Sequence, residues 1–77
     1  MTQREIEKEL NGIYRKMKNL RRENKKLNYV IPKDEIEKRE ELLSLRQILY
    51  NIEDAKKEGD KDKEYFNLAL YYLTKSA

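Results

Sequence analysis

The sequence predicts an all-α fold, in which a long antiparallel helical hairpin carries a short third helix across its open end as a three-helix bundle. The first third of the chain repeats apolar residues at heptad spacing, which is typical of coiled-coil-like packing. Strong breakers are few, and Pro32 and Gly59 stand between three helix-favouring segments. With 43% charged and 38% apolar residues in 77 positions, the composition favours one soluble helical domain spanning 1–77.

Helix 1 is predicted over about residues 3–27. Thr2 followed three positions later by Glu5 forms a capping box, which starts the helix at Gln3. The heptad steps alternate between four and three residues and place one polar residue in the apolar seam. The members of this seam are Ile6, Leu10, Ile13, Met17, Leu20, Asn24, Leu27 and Ile31.

The charges beside the seam favour antiparallel over parallel helix pairing. In a parallel dimer Lys16 would face Arg21 of the second helix, and like charges at these positions repel. The seam therefore fits an antiparallel neighbour, within the chain or between chains.

Helix 2 is predicted over about residues 32–58. Pro32 suits the first turn, and Gly59 suits a left-handed C-terminal cap. One apolar face and a second stripe about 140° away predict contacts with two neighbours. The face comprises Leu42, Leu45, Leu49 and Ile52, flanked by Ile48 and Ala55, and the stripe comprises Ile36, Leu43 and Tyr50.

Helix 3 is predicted over about residues 61–74, capped by Asp60 or Asp62. Its apolar residues form one broad face, which we expect to pack on the hairpin, whereas Tyr71 is expected to point the other way. The residues of this expected contact face are Tyr65, Phe66, Leu68, Ala69, Leu70, Tyr72 and Leu73.

The tip of the hairpin is predicted to remain uncovered. Helix 3, at about 21 Å, is too short to cover helix 2 beyond about Leu43 or Ser44. Apolar residues gather near the tip, which favours a partner or self-association surface there, unless the turn folds over and hides them. The expected interface residues are Leu27, Tyr29, Val30, Ile31 and Ile36.

The residue types argue against catalysis. The chain contains no His and no Cys, so the commonest general base, the best thiol nucleophile and the main transition-metal ligands are missing. Asp34, Glu37 and Glu41 share a helix face, but the Glu-x-x-His pairs of carboxylate bundle sites are absent, and a solvated face explains them better. We expect no catalytic residue, no metal site and no cofactor.

Helix 1 carries a basic stripe opposite its seam. Residues 14–28 include seven Lys or Arg and one acid, a local charge of +6, whereas the whole chain carries +3. The stripe can be a solvated face paired with acids of helix 2, a docking site for an anionic protein, or a nucleic-acid site. The residues that line it are Arg15, Lys18, Arg22, Lys25 and Lys26.

These observations together predict a small, non-catalytic, cytoplasmic protein that binds a partner protein through helical surfaces in a regulatory or inhibitory role. A homodimer is the expected assembly. The alternative is a nucleic-acid-binding accessory protein that uses the basic stripe. No run is long and apolar enough to span a membrane. Abundant Lys, Asn, Ile and Tyr indicate AT-rich codons, as in a low-GC bacterium or its phage.

Overall fold

The computed structural model describes residues 1–26 and 33–76, and in these ranges the side chains of all residues except 24–26, 34 and 35. Three helices make up the described chain: α1 (Gln3–Lys26), α2 (Lys33–Glu58) and α3 (Lys61–Ser76). This confirms the all-α bundle. The third helix ends two residues beyond its predicted end, and the bundle is elongated, measuring 46 × 21 × 17 Å.

The start of α1 follows the predicted capping box. The Glu5 amide donates to Thr2 Oγ1 at 3.2 Å, and the Thr2 hydroxyl donates to Glu5 Oε1 at 3.2 Å. The side chains thus satisfy one amide of the first turn, which has no partner inside the helix. The helix consequently begins where the local sequence predicts.

The connection between α2 and α3 is a Schellman turn followed directly by a cap. Gly59 has a φ of 73°, its amide donates to the Lys56 carbonyl, and the Asp60 amide donates to the Ala55 carbonyl. Asp60 Oδ1 then accepts the Lys63 amide at 3.1 Å. Of the two residues predicted as the N-terminal cap of α3, Asp60 therefore forms the cap.

The core lies between α1 and α2, which run antiparallel. Gln3 Nε2 donates to Glu53 Oε2 at 2.8 Å at one end of the pair, and Glu23 and Lys38 line a common groove toward the other. The predicted seams meet here, with Met17 and Leu20 half-buried at their edge. The buried members are Ile6, Leu10 and Ile13 of α1 and Leu42, Leu45, Ile48, Leu49, Ile52 and Ala55 of α2.

The third helix packs mainly against α2, but not through the predicted face. Tyr71, expected to point outward, is only 1% exposed, whereas Phe66 and Leu73 are each 70% exposed. The predicted contact face was therefore wrong: of its seven residues only Leu68 packs against the core as a partly buried side chain. The helix is rotated so that Tyr71 enters the bundle.

Across the part of the chain that the structure describes, no helix combines the length and apolarity needed to cross a bilayer. Charged residues interrupt the apolar ones throughout all three helices, except in the second half of α3.

The two glycines should respond to alanine substitution in opposite directions. A Cβ added at Gly12 meets nothing within 4 Å, so Gly12→Ala should raise the free energy of unfolding by about 0.5–1 kcal/mol through better helix propensity. Gly59→Ala should lower it by about 1–2 kcal/mol because φ is positive there. Urea denaturation of both variants measures the two shifts, and destabilisation by Gly12→Ala would contradict the regular, open helix at that position.

Candidate functional site

The orientation of α3 depends on Tyr71. Its hydroxyl donates a hydrogen bond to Glu9 Oε2 at 2.8 Å, across 62 residues of sequence. Lys75 lies one turn further along, with Nζ 3.2 Å from the same carboxylate oxygen and 5.7 Å from the centre of the Tyr71 ring. One carboxylate of α1 thus contacts two residues of α3, which joins the third helix to the first.

The electrostatics of this contact favour a charged Glu9 and a neutral Tyr71. The hydrogen bond from Tyr71 lowers the pKa of Glu9, and Lys75 lowers it further against the opposing effect of burial. Burial, followed by the hydrogen bond to Glu9, raises the pKa of Tyr71 well above its ordinary value. The pair therefore keeps its protonation states across the neutral pH range.

The rest of the packed face of α3 is largely polar. Asn67 is buried, and its amide nitrogen donates to the Lys63 carbonyl of its own helix at 2.8 Å. Glu64 lies 3.9 Å from the ammonium of Lys56 on α2. An amphipathic helix normally packs on the core through its more apolar side. It is therefore unusual that α3 packs through a face that contains an amide, a carboxylate and a phenol.

That more apolar side, here called the outer face, is exposed to solvent. Tyr65 is 63% exposed, Tyr72 53% and Leu73 70%. The three aromatic residues of the outer face are Tyr65, Phe66 and Tyr72. At about 200 Å² for each whole aromatic side chain, their exposed fractions leave roughly 370 Å² of surface in water. Of the seven large apolar side chains exposed in the described residues, five belong to this face. The outer face consists of Tyr65, Phe66, Ala69, Leu70, Tyr72 and Leu73.

The composition of the outer face is that of an interface core. Residues 65–74 contain no charged side chain, although 43% of the chain is charged. Interface cores are depleted of charge and enriched in aromatic residues, and contiguous apolar patches of several hundred Å² on small proteins mark binding sites. The outer face is therefore the strongest candidate for a functional surface.

A groove between α1 and α2 is the second candidate surface, and the C-terminal part of α3 closes one end of it through Tyr71 and Lys75. It has a volume of 520 Å³, and Ile13, Leu20, Leu42 and Leu45 contribute apolar surface to it. Its rim is charged on both sides, so it resembles an interface core less than the outer face does. The charged residues of the rim are Glu9, Lys16, Glu23, Lys38, Glu41 and Lys75.

The basic stripe lies on the solvent side of α1, as predicted. Arg15, Lys18 and Arg22 are exposed. Among the described side chains, no ion pair within 4.0 Å joins these three to an acid. Pairing with the acids of helix 2 was one of three alternatives, and the Asp34 and Glu35 side chains lie outside the described set. The side chains of Lys25 and Lys26 lie outside the described residues.

The tip surface predicted from the sequence falls mostly outside the described residues. Leu27, Tyr29, Val30 and Ile31 lie outside the described residues, whereas Ile36 is 44% exposed near the start of α2. The tip interface therefore stays a prediction.

Within residues 1–26 and 33–76, no group of three or more acidic side chains is placed to hold a metal ion. The Asp34 side chain, part of the acidic face considered above, lies outside the described set.

Sequence reasoning identified the residues of the outer face but assigned them to the wrong side. Tyr71 and Lys75, at i and i+4, present a hydroxyl and a cation on one face of α3, and Glu9 on α1 is a carboxylate able to accept from both. That spacing is compatible with the packed face, but nothing in the sequence names Glu9 as the acceptor.

We compared the chain with protein-family models, with curated proteins and with solved structures, and none of them matches it. The arrangement therefore has to be interpreted from its own geometry: a three-helix bundle whose shortest helix presents an apolar, uncharged face.

Removing the Tyr71 hydroxyl should change both stability and its dependence on pH. Tyr71→Phe should lower the free energy of unfolding near neutral pH by about 1 kcal/mol, since a hydrogen bond to a charged group is lost. The raised pKa of folded Tyr71 means that the stability it contributes is complete below the unfolded pKa of about 10 and is lost as pH rises toward the folded pKa.

The wild type should therefore lose up to about 1.4 kcal/mol per pH unit above about pH 10 through this group, and Tyr71→Phe should not. Urea denaturation between about pH 7 and pH 11 measures the difference, which should shrink as pH rises. Tyr72→Phe, at an exposed neighbour, is the control and should stay within about 0.5 kcal/mol of wild type. A constant difference over the whole range would contradict a Tyr71 hydroxyl that is buried and hydrogen-bonded in the folded chain.

Proposed function

We propose that this chain is a non-catalytic protein-interaction module, regulatory or inhibitory in its action, that binds a partner protein through the outer face of α3. The observation that carries the proposal is the uncharged outer face, with Phe66 and Leu73 each 70% exposed. The other exposed helix faces of this chain, such as that of Arg15 and Lys18, are rich in charged residues. An exposed face without charged residues is best explained by a partner protein that covers it.

The spacing of the outer face suits recognition by a groove or by another helix. Phe66, Leu70 and Leu73 occur at i, i+4 and i+7, the anchor spacing of helices that dock by one apolar side. The anchors are held on a helix whose other side is already packed on α2, so binding does not require α3 to fold first. A preformed surface of this kind favours binding over chemistry, in keeping with the lack of His and Cys in the chain.

We place this activity in the cytoplasm of a low-GC bacterium or its phage, on composition alone. The tip residues Leu27, Tyr29, Val30, Ile31 and Ile36 are retained as a second contact area of the same kind.

A photo-reactive residue on the outer face should capture the partner. We expect benzoylphenylalanine in place of Phe66 to form a discrete cross-linked species in a nuclease-treated lysate of the cells that encode the chain, because this side chain is largely exposed. The same residue in place of Arg39, an exposed position of α2, is the matched control and should not form that species. Adding Leu73→Lys to the Phe66 variant should abolish the cross-link, and equal labelling from both sites would contradict the proposal.

The alternative function is nucleic-acid binding along the basic stripe. It is supported by the exposure of Arg15, Lys18 and Arg22 without an ion-pair partner in the described part of the chain. The stripe has no aromatic residue interleaved for base stacking, which favours backbone contacts alone.

Salt dependence tests this alternative. If three to five cations contact phosphates, the affinity for duplex DNA should fall about 40-fold to 500-fold between about 50 and 200 mM salt. Fluorescence anisotropy measures this fall, and Lys18→Gln should reduce the salt slope by about one whereas Arg39→Gln should not. A flat salt response, or no binding at low salt, would remove nucleic acid from consideration.

A further inference from the structure

The outer face is symmetric about Ala69. Large residues stand three and four positions before it, at Phe66 and Tyr65, and three and four positions after it, at Tyr72 and Leu73. At 1.5 Å per residue, the pattern extends about 6 Å to either side of Ala69 along the helix. Reversing the direction of the helix therefore exchanges these four large residues with one another. Leu70 is the exception, because its mirror position is the partly buried Leu68.

Such a surface can pair with itself. A twofold interface uses the same patch on both copies, so a patch that matches its own reversed copy meets the basic requirement for it. With the axis at Ala69, two antiparallel helices place Phe66 level with Tyr72 of the second copy and Tyr65 level with Leu73 of the second copy. Each of these four side chains then lies beside large side chains of the second copy, and the two Ala69 residues meet at the centre.

We infer that the partner of the outer face is a second copy of this chain, bound through antiparallel pairing of the two α3 helices about a twofold axis at Ala69. This inference rests on the proposed function, because it names the occupant of the same surface. The alanine at the axis allows the helices to approach to about 8–10 Å, the usual spacing of packed helices. Antiparallel pairing also places the positive end of each helix dipole beside the negative end of the other, which is favourable.

The area is sufficient for a reversible dimer. The aromatic residues expose roughly 370 Å² per copy, and with the two leucines the two copies together bury about 1,000 Å². Stable interfaces bury about 1,200–2,000 Å², so this contact lies somewhat below their range, and the dimer should be weak and reversible. The absence of charge from residues 65–74 means that pairing buries no ionised side chain within this segment.

Sedimentation equilibrium of the full chain, from about 1 to 500 µM, tests the association. We expect a concentration-dependent dimer whose dissociation constant rises at least about tenfold in Phe66→Lys and in Leu73→Lys. Both residues are largely exposed, so the monomer should fold normally in each variant, which helix content by circular dichroism verifies. Ser44→Lys, at an exposed uncharged residue of α2, is the matched control and should dimerise like wild type.

Cysteine cross-linking tests the axis, since the chain has no cysteine of its own. Ala69→Cys should form a disulfide-linked dimer, because two Cα atoms at the axis lie within the 4–7 Å that a disulfide spans. Tyr65→Cys alone should not, because its copies are about 12 Å apart along the helix. A mixture of Tyr65→Cys with Leu73→Cys should cross-link again, which a parallel pairing would not produce.

Three results on association would overturn the inference: a monomer at every concentration, a dimer that tolerates Phe66→Lys and Leu73→Lys, or a dimer that Ser44→Lys disrupts equally. Cross-linking of Tyr65→Cys alone would also overturn it. The photo-cross-linking from position 66 distinguishes this failure from that of the proposed function. A captured species containing a different protein overturns only the second-copy assignment, whereas a failure to capture any protein from the outer face overturns both.

Discussion

The hydrogen bond from the Tyr71 hydroxyl to the Glu9 carboxylate is the contact on which the arrangement of α3 depends. The Tyr71 side chain is 1% exposed, and leaving its buried hydroxyl without an acceptor would lower the free energy of unfolding by about 1–3 kcal/mol. A rotation of α3 that breaks this pair is therefore unfavourable. Lys75 contacts the same carboxylate and makes the anchor stronger. Because successive residues of a helix are separated by 100°, placing Tyr71 inside the bundle turns Phe66 and Leu73 outward.

The anchor creates a helix with one polar packed side and one apolar free side. Burial of apolar surface is the main favourable term in folding and association, and the bundle uses little of what α3 offers. Asn67 lies inside whereas Phe66 lies outside, in a chain whose small core has little stability to spare. A protein that covers the outer face recovers this free energy, which links the geometry of the anchor directly to the proposed binding role.

Most of the fold was predictable because its determinants are local. The Thr2 capping box, the left-handed Gly59 and the Asp60 cap each act within five residues, and each forms as the sequence indicates. From Ile6 to Leu20, the heptad of α1 meets the apolar face of α2 as predicted, since burial of matched stripes leaves little choice of register. The later heptad members Asn24, Leu27 and Ile31 lie outside the described side chains. The exposure of the basic stripe follows from the same register, as Arg15, Lys18 and Arg22 lie opposite the seam.

The side of α3 that packs could not be predicted in the same way. Counting apolar residues selects the side that carries Phe66 and Leu73, whereas the structure buries the side that carries Tyr71. The sequence by itself determined the helices, their ends, the α1–α2 seam and the absence of charge from residues 65–74. Only the tertiary structure decided that this uncharged segment faces solvent, because the contact responsible joins Tyr71 to a carboxylate 62 positions away, and such a pairing leaves no periodic trace along the chain.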